Sequence, residues 1–440
     1  MDKIKLSPYN FFFEHKGDCY IFNSESLFFS KIDPKVYVAL KDRDFDSLGE
    51  INISTLKDKR IIIYEKDKNT YFNHILTRLL TDSYSSEIMS LIIAPTTGCN
   101  FECPYCFEPK KHPKRITKEV EDKIIEYLKK REELKKVSLT WYGGEPLLTP
   151  DAIRRIYDRI VEETDKEICD QEIVTNAYLI NDDVIELLRH CKMTHIQISV
   201  DGVEERHNQT RFLKATHAPT FSVIEKNIEK VAKALPEIQI SLRVNINKDN
   251  WQDFVSLYHK YQGEEWHKNI WPYPGIIRED SSDGCVLRHR CFDLSELIDL
   301  FKNFRDNGVN VNLFPRQVSK GCMLQRTNAF IVGPEGELYK CWNDVSNPDK
   351  IVGSIMDDDL HNYDLLMKYM QECNPIRKEC RNCQVFPICD GGCGYKQFRN
   401  KFENTDFELC SPYKDKAKLK EALLLCIAEN KNINCKPVHF

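Results

Sequence analysis

The stretch that decides the fold is SLIIAP (residues 90–95) followed at once by TTGCNFECPYCF (residues 96–107). The apolar run is typical of a buried strand, and three cysteines in the spacing CxxxCxxC follow its end. Three thiolates can hold three irons of a four-iron cluster and leave the fourth iron open to a small chelating molecule. Structural zinc needs four ligands, and the nearest further candidate is His112. The spacing therefore favours an iron–sulfur cluster.

The bulk composition points to a cytoplasmic protein rather than an exported one. The chain has 440 residues and 18 cysteines, with a net charge of −5. Its N-terminus lacks the apolar core of a signal peptide, and no run reaches the length of a membrane span. In a reducing compartment, closely spaced thiols usually bind metal instead of pairing as disulfides. The acidic balance predicts no nucleic-acid partner, and we expect no membrane partner.

Residues 89–310 alternate strand-like and helical patterns. Val120, Ile124 and Leu128 line one helix face after Thr117, which is a suitable N-cap. Six β–α units in this length predict an α/β fold with a parallel sheet that is curled or closed. The candidate strands are Ser90–Pro95, Val137–Tyr142, Gln171–Thr175, Ile196–Val200, Ile238–Asn247 and Asn269–Ile277.

Two of these strands are polar on one face. Apolar and polar residues alternate along 196–201 and along 238–247. A strand in a parallel sheet covered on both sides is apolar on both faces. The alternation fits either a sheet with one solvated side or a barrel whose lumen holds a polar ligand, and we favour the barrel. The cysteine loop then lies at the C-terminal end of a strand, where such barrels place their chemistry.

Several further motifs, together with the cysteine loop, resemble the radical SAM superfamily. Each of them closes a predicted strand. They are Tyr142-Gly143-Gly144-Glu145-Pro146, similar to the family's GGEP motif; Thr175-Asn176, similar to its TN turn; and Ser199-Val200-Asp201-Gly202 followed by His207 to Arg211, similar to its S-x-D-G and H-x-x-x-R stretch. The resemblance implies a partial (β/α)6 barrel of the TIM type.

The resemblance also implies roles for individual residues. Cys99, Cys103 and Cys106 would hold a [4Fe–4S] cluster whose open iron binds S-adenosylmethionine. In the GGEP motif the glycines would let backbone approach the ligand, and the carboxylate would receive its ammonium group. The remaining cofactor contacts would be Tyr105 beside the adenine, with Gly143, Gly144, Glu145, Asn176, Ser199, Asp201, Arg211 and Asn245. For Asn176, Arg211 and Asn245 the alternative is turn stabilisation or surface pairing.

Residues 311–425 are predicted to form short elements with many turns. They are dense in cysteine and contain too little apolar material for a core of their own. Their spacing resembles the SPASM domain, which carries two auxiliary iron–sulfur clusters. CxxC pairs also suit zinc, so zinc knuckles are the alternative. By resemblance, one cluster would be held by Cys322, Cys341 and Cys393, with Gly336 five residues before the second of them, and the other by Cys380, Cys383, Cys389 and Cys410.

The first auxiliary set lacks one ligand. In anaerobic sulfatase-maturating enzymes a fourth cysteine follows a few residues after the first, and an aspartate follows the cysteine equivalent to Cys341. Here residues 323–328 read MLQRTN, and Trp342 stands in the aspartate's place with Asp344 two residues on. These departures favour an open iron that binds a substrate thiolate, unless Cys373 supplies the missing ligand.

The N-terminal segment is predicted to be a β-rich unit. Residues 11–13, 19–22 and 27–29 are three short strand candidates separated by turns. In similar enzymes such a region can bind a leader peptide by adding it to a sheet edge; the alternative is a structural cap. The predicted domains are 1–88 (N-terminal), 89–310 (barrel), 311–425 (SPASM) and 426–440 (tail).

Taken together, the resemblance implies a radical SAM/SPASM peptide maturase of the sactipeptide or ranthipeptide type. Such an enzyme cleaves S-adenosylmethionine reductively to a 5′-deoxyadenosyl radical, which takes hydrogen from a ribosomally made precursor peptide with a leader. We expect an intramolecular thioether first and a carbon–carbon cross-link second. The runner-up enzyme is a formylglycine-forming sulfatase activator. A non-catalytic zinc or iron–sulfur scaffold is the alternative of another class. The implied cofactors are three [4Fe–4S] clusters and S-adenosylmethionine, and the implied electron donor is a flavodoxin or ferredoxin.

Overall fold

The computed structural model describes residues 3–106, 113–277, 291–311, 314–318, 321–357, 360–374, 376–389 and 391–427. The chain forms two compact units. One, which we call the composite unit, contains 1–83, 293–322 and 373–440, and the other, the barrel unit, contains 84–292 and 323–372. Cys285, Cys435 and most of the predicted tail lie outside the described residues.

The elements follow one another in this order. The strands are β1 (Ile4–Leu6), β2 (Asn10–His15), β3 (Asp18–Asn23), β4 (Phe28–Ile32), β5 (Ile62–Tyr64), β6 (Ile88–Thr96), β7 (Lys136–Gly143), β8 (Glu167–Thr175), β9 (His195–Val200), β10 (Gln239–Ile246), β11 (Ile270–Ile276), β12 (Ala329–Val332), β13 (Glu337–Tyr339) and β14 (Gly353–Ser354). The helices are α1 (Pro34–Asp42), α2 (Glu50–Asp58), α3 (Thr70–Ser83), α4 (Lys118–Lys129), α5 (Pro150–Glu163), α6 (Asp182–His190), α7 (Glu204–Thr210), α8 (Phe221–Ala234), α9 (Trp251–Lys260), α10 (Leu297–Asp306), α11 (Tyr363–Met367), α12 (Gly394–Phe402) and α13 (Lys416–Ile427).

The barrel unit is built on a sheet in the order β11-β10-β9-β8-β7-β6-β12-β13-β14. Strands β6 to β11 are parallel to their neighbours and are consecutive in the chain. The predicted α/β class with six parallel β–α units is confirmed. Each of the six strands overlaps its predicted range, because alternating branched apolar residues such as Ile196 and Ile198 are fully buried on one face.

The first barrel helix shows why the periodicity predicts these elements well. α4 begins after Thr117, whose hydroxyl accepts a hydrogen bond from the Val120 N–H. Its predicted face, with Val120, Ile124 and Leu128, is buried. On the same helix Glu121 is also buried, and the guanidinium of Arg155 on α5 pairs with both of its carboxylate oxygens at 2.6 and 3.0 Å. This bidentate ion pair joins α4 to α5.

The sheet continues past the six strands into the segment that the sequence assigns to the cysteine-rich region. β12 pairs in parallel with β6, and its four residues are buried. β13 and β14 follow as antiparallel strands. Gly336, the glycine of the cysteine pattern, lies in the turn between β12 and β13 with φ of 89°, where a side chain would be strained. The sequence did not predict this extension, and the predicted domain boundaries stay a prediction.

The composite unit joins the N-terminal strands to C-terminal segments. β2, β3 and β4 form an antiparallel sheet, which agrees with the predicted β-rich start. Phe11, Phe13 and Phe22 of this sheet pack with Val385 and Tyr413 in one apolar core. The C-terminal segment therefore obtains a core that its own sequence lacks. A second core in this unit packs β3 and β5 against α1 and α2.

Two absences concern only the described part of the chain. None of its helices is long and apolar enough to cross a membrane. None of its 16 cysteines forms a disulfide.

Replacing Arg155 by methionine is expected to lower the free energy of unfolding by about 1–3 kcal/mol, because the buried carboxylate of Glu121 loses its partner. The matched control on the same helix is Arg159→Met, whose partners Asp122 and Glu163 are more exposed. We expect that change to cost less than about 1 kcal/mol. Anaerobic urea denaturation measures both, and equal losses would contradict the stated role of burial.

Candidate active site

The loop of residues 96–106, which we call the cluster loop, follows β6 and is held on both sides by backbone. On one side the Thr97 N–H donates to the Lys114 carbonyl at 3.1 Å. On the other, the Glu102 N–H donates to the Phe212 carbonyl at 3.2 Å, and the Lys214 N–H donates to the Asn100 carbonyl at 2.8 Å. The loop is therefore a fixed part of the barrel unit's strand-end face, where β/α barrels carry their chemistry.

The two motif glycines bring the end of β7 against this loop. The Gly144 N–H donates to the Thr96 carbonyl at 3.1 Å, and the Glu145 N–H donates to the Gly98 carbonyl at 2.9 Å. A side chain at Gly143 would overlap the Thr96 carbonyl oxygen, and one at Gly144 would overlap that of Gly98. The sequence reasoning gave these glycines the task of approaching a ligand. In the structure they let two backbone segments of the protein approach each other.

Glu145 is buried and holds strand ends together. Its carboxylate accepts hydrogen bonds from the Leu147 N–H at 3.0 Å, the Thr175 hydroxyl at 2.7 Å and the Asn176 N–H at 2.8 Å. Burial raises the pKa of this carboxyl, and the hydrogen bonds oppose that rise. A carboxylate has about four acceptor positions, so the three donors do not exhaust it. Its predicted contact with the cofactor's ammonium stays a prediction.

The three cysteines of the loop differ in their surroundings. The Cys99 sulfur accepts a hydrogen bond from the Phe101 N–H at 3.4 Å and lies 3.9 Å from Asn176 Nδ2. Burial raises the pKa of Cys99 to about 12 and also raises that of Cys103, whereas Cys106 is exposed. Thiolates are the form that binds iron, so cluster binding must release these protons.

The donor set fits an iron–sulfur cluster with an organic ligand. Three thiols stand on one fixed loop, and beside them the amide nitrogen Nδ2 of Asn100 and Nε of Arg211 are buried polar atoms with no hydrogen-bond partner among the described residues. Buried donors of this kind normally have an acceptor, which a bound ligand can supply. No three His, Cys, Asp or Glu side chains in the described ranges are grouped as ligands of a single metal ion.

Asp201, at the end of β9, is the common partner of several residues that were predicted to contact the cofactor. One carboxylate oxygen accepts from the Tyr105 hydroxyl and from the Thr210 hydroxyl, the latter at 2.7 Å. The other accepts from Asn245 Nδ2 at 3.0 Å. Arg211 donates to the Tyr105 oxygen at 3.1 Å and lies 3.9 Å from Asp201. The cluster loop is thereby tied to the strand that carries Asp201.

The predicted contacts Asn176, Arg211 and Asn245 are all buried, so surface pairing is wrong for each of them. Asn176 does stabilise a turn, because its side-chain oxygen accepts from the Tyr178 N–H at 3.0 Å, and its Nδ2 also donates to Asn100 Oδ1 at 2.7 Å. Ser199 is half-buried, two residues before Asp201 on the same face of β9. Their contacts with a bound cofactor stay predictions.

His207, the first residue of the H-x-x-x-R stretch, also belongs to this site, although the sequence assigns it no role. It is fully buried, and the Asp201 N–H donates to its Nδ1 at 3.3 Å. Its Nε2 therefore carries the proton and donates to the Thr220 hydroxyl at 3.1 Å, which donates to the Arg211 carbonyl at 2.6 Å. Burial, with the nearby Arg211, lowers the pKa of His207 to about 3. The sequence signal for a role of His207 is its place as the first residue of the H-x-x-x-R stretch.

The polar face predicted from strand alternation is a hydrogen-bonded surface. His195 Nε2 lies 2.6 Å from the Ser241 hydroxyl, and its Nδ1 lies 3.2 Å from the Glu172 carboxylate. The Tyr273 hydroxyl donates to the Gln197 side chain at 2.7 Å. These side chains are half-buried instead of fully solvated.

The composite unit contains all four cysteines predicted for the second auxiliary cluster. Cys380 is close enough to Cys383 and Cys389 for their charges to interact. The positive charge of Arg377 interacts with both Cys380 and Cys410. Burial raises the pKa of Cys380. The set agrees with the SPASM pattern, and its metal stays a prediction.

The cysteines of the first auxiliary set belong to different units. Cys322 is exposed and Cys393 half-buried in the composite unit, and Cys341 is buried in the barrel unit. Cys373, the other candidate ligand, is fully buried. The ring of Trp342, the residue after Cys341, lies edge-on to the ring of Tyr142, and the two ring centroids are 4.4 Å apart.

The change Gly144→Ala is expected to displace the cluster loop, because the added methyl group overlaps the Gly98 carbonyl oxygen. Overpacking of this kind costs about 1–3 kcal/mol. We expect the affinity of the reconstituted protein for S-adenosylmethionine to fall about tenfold, measured by anaerobic equilibrium dialysis. Gly263→Ala is the control for a general loss of stability, because its φ of 101° strains a side chain while the added methyl group meets no atom within 4 Å. Unchanged affinity in Gly144→Ala would show that the loop position does not depend on this contact.

Comparison with known proteins agrees with this geometry. The model of the Radical SAM superfamily matches residues 93–260, which contain the cluster loop and the ends of β7 to β10. The cysteine-type anaerobic sulfatase-maturating enzyme of Clostridium perfringens (strain 13 / Type A) is 26% identical over 374 residues, covering 78% of this chain and 99% of that enzyme. The radical SAM cyclopropyl synthase TigE of Paramaledivibacter caminithermalis is 23% identical over 385 residues, covering 78% of this chain and 77% of that enzyme.

A solved structure, described as native anSMEcpe with bound AdoMet and Cp18Cys peptide, superposes with a TM-score of 0.57 at 21% identity, covering 78% of this chain and 100% of that one. This likeness concerns the fold. The match of residues 93–260 to the superfamily confirms the resemblance recognised from the motifs. Residues 93–260 are therefore a radical SAM domain, the protein is an enzyme, and this superfamily implies a [4Fe–4S] cluster and S-adenosylmethionine as its cofactors.

Proposed function

We propose that the protein modifies a ribosomally made peptide by joining a cysteine sulfur of that peptide to a carbon of another of its residues. The observation that carries the peptide assignment is the extent of the likeness to a sulfatase-maturating enzyme. That likeness covers 78% of this chain, well beyond residues 93–260 of the superfamily match. A structure with a bound peptide, of the protein called anSMEcpe, shares the fold.

In this proposal Cys99, Cys103 and Cys106 hold the cluster. When bound, the cluster and S-adenosylmethionine supply one electron and a carbon radical that removes hydrogen from the substrate. The chain's own side chains bind and orient. Glu145 fixes the strand ends, Asp201 anchors the cluster loop through Tyr105, and the three loop thiols bind iron as thiolates.

The neutral state of His207 has a purpose in this arrangement. Its Nδ1 must stay unprotonated to accept the Asp201 N–H, and burial ensures this at any pH near neutrality. The loop between α7 and α8, which includes Arg211, is then fixed without adding a second positive charge beside its guanidinium. A fixed, buried polar network of this kind keeps the bound cofactor in one orientation and excludes competing water.

The thioether is the favoured product because the first auxiliary set has no cysteine in residues 323–328. Three thiolates leave one iron of a four-iron cluster without a protein ligand, and a substrate thiol can occupy it. Cys373 is the competing fourth ligand, and it is fully buried.

Formylglycine formation is the second candidate, on the strength of the sulfatase-maturating relative. The side chains after Cys341 argue against it. Trp342 occupies the position of the proposed base in those enzymes, and Asp344 is buried with its carboxylate accepting from the Tyr369 hydroxyl at 2.6 Å. An aspartate held in this way is not open to a substrate proton.

The remaining partners belong to the same proposal. A flavodoxin or ferredoxin supplies the electron, and the N-terminal residues 1–88 bind the leader of the precursor peptide. β2 and β4 form the two edges of the N-terminal sheet, and an added strand needs such an edge. The inner face of this sheet is already packed in the core of the composite unit, which equally suits a structural cap.

The test is an anaerobic reaction of the reconstituted enzyme with reductant, S-adenosylmethionine and the small peptide encoded beside this gene. We expect the product to lose the mass of two hydrogen atoms and its cysteine to resist alkylation. Loss of two hydrogens with an alkylable cysteine would mean a carbon–carbon bond, and an aldehyde in place of the cysteine would mean formylglycine. Either result would overturn the thioether.

Two cysteine variants sharpen this test. Cys322→Ala is expected to keep cleaving S-adenosylmethionine but to form no thioether, because only the first auxiliary set is changed. Cys169→Ala is the matched control, since Cys169 is likewise exposed but belongs to no predicted set. Thioether formation by Cys322→Ala at the wild-type rate would exclude the auxiliary-cluster role.

A further inference from the structure

The sulfur of Cys410 receives hydrogen bonds from two cationic side chains. Arg377 Nη2 donates to it at 3.2 Å, and Lys414 Nζ donates to it at the same distance. Neither contact is part of the cysteine pattern, and both residues lie in the composite unit with the four cysteines of the second auxiliary set. A thiol bonded by two cations is an unusual environment for an idle cysteine.

Arg377 is fixed in place by further contacts around the same cysteines. Its Nη1 donates to the Gly391 carbonyl at 3.3 Å, and its Nε donates to the Glu379 carboxylate at 2.7 Å. The loop that carries Gly391 is itself pressed against the backbone before Cys410, since a side chain at Gly392 would overlap the Leu409 carbonyl oxygen. One guanidinium therefore joins the region of Cys389 to Cys410.

The charges of the two residues reach beyond Cys410. The charge of Arg377 also interacts with Cys380, and the charge of Lys414 also interacts with Cys383. Glu379 offsets part of the charge of Arg377. Lys414 forms no ion pair with a carboxylate in the described part of the chain, but it is exposed, and water screens its charge.

We propose that Arg377 and Lys414 are positioning residues that raise the reduction potential of an iron–sulfur cluster held by Cys380, Cys383, Cys389 and Cys410. The inference deepens the proposed function and rests on that ligand set. The potential of such a cluster depends on its net charge and on hydrogen bonds to its sulfurs. Reduction adds a negative charge, so two cations at a ligand sulfur stabilise the reduced state over the oxidised one.

The consequence concerns the path of electrons. A cross-link that forms from a C–H and an S–H bond releases two electrons and two protons in total. One hydrogen atom leaves with the cofactor-derived radical, and one proton and one electron remain to be removed. A cluster of raised potential is a suitable acceptor for that electron, and the oxidised flavodoxin or ferredoxin that supplied the first electron then takes it back, so the electrons balance.

The experiment is a potentiometric titration of the anaerobically reconstituted full-length enzyme, followed by electron paramagnetic resonance, with iron content measured for each sample. The variants are Arg377→Gln, Lys414→Gln and the charge-keeping Arg377→Lys. Arg381→Gln is the matched control. Arg381 is an exposed cation next to Cys380, and its guanidinium lies over the Phe72 ring at 6.0 Å instead of bonding to a sulfur.

We expect the potential of one cluster signal to become more negative in Arg377→Gln and, by a smaller amount, in Lys414→Gln. Arg377→Lys should stay closer to the wild type, and Arg381→Gln should not differ from it. Equal potentials in all five proteins, or an equal shift in Arg381→Gln, would overturn the inference. If Arg377→Gln loads no iron, Lys414→Gln and Arg377→Lys decide the same question.

A separate variant distinguishes failure of the ligand set from failure of the tuning. Cys380→Ala should lose iron and the cluster signal that responds to Arg377. Full iron content in Cys380→Ala would show that the proposed second auxiliary site is wrong, whatever the potentials. Loss of iron together with unchanged potentials in the charge variants would leave the site in place and contradict the role of the two cations alone.

Discussion

The buried carboxylate of Glu145 is the constraint on which the site depends. It accepts hydrogen bonds from the end of β8 through Thr175 and Asn176, while its own backbone N–H is bonded to the cluster loop at Gly98. One residue therefore fixes three strand ends relative to one another. Removing the donors around a buried carboxylate is costly, so the arrangement is rigid. The positions of Cys99 and Asn176 follow from it.

Asp201 provides the second fixed point. It joins β9 to the cluster loop through Tyr105 and to β10 through Asn245. Behind it, the neutral His207 accepts from the Asp201 backbone and holds the Arg211 carbonyl through Thr220. Every member of such a network is needed, because a partly satisfied buried polar network is worse than none. The polar side chains at the strand ends are thus a built surface and not a set of independent contacts.

The sequence predicts the barrel strands well, because they carry a strong local pattern. Alternation at Ile196 and Ile198 specifies a strand, whereas the ligand sets that the cysteine spacing implies stay a prediction. Prediction from sequence fails where the cause is tertiary. Nothing in the four apolar residues of β12 tells that they pair with β6, and the sharing of one core by Phe11 and Tyr413 is invisible along the chain. The glycines of the GGEP motif are a similar case, since a sequence shows that backbone comes close but not what it approaches.

The central claim is that the cluster loop makes this protein a radical SAM enzyme, and formation of 5′-deoxyadenosine measures it most directly. With reductant and S-adenosylmethionine under anaerobic conditions, the wild-type enzyme should release 5′-deoxyadenosine, and Cys99→Ala, Cys103→Ala and Cys106→Ala should release none. The variants of the second auxiliary set should still release it, because they leave the loop intact. Absence of 5′-deoxyadenosine from the iron-loaded wild type with every reductant, or its undiminished release by Cys99→Ala, would contradict the account.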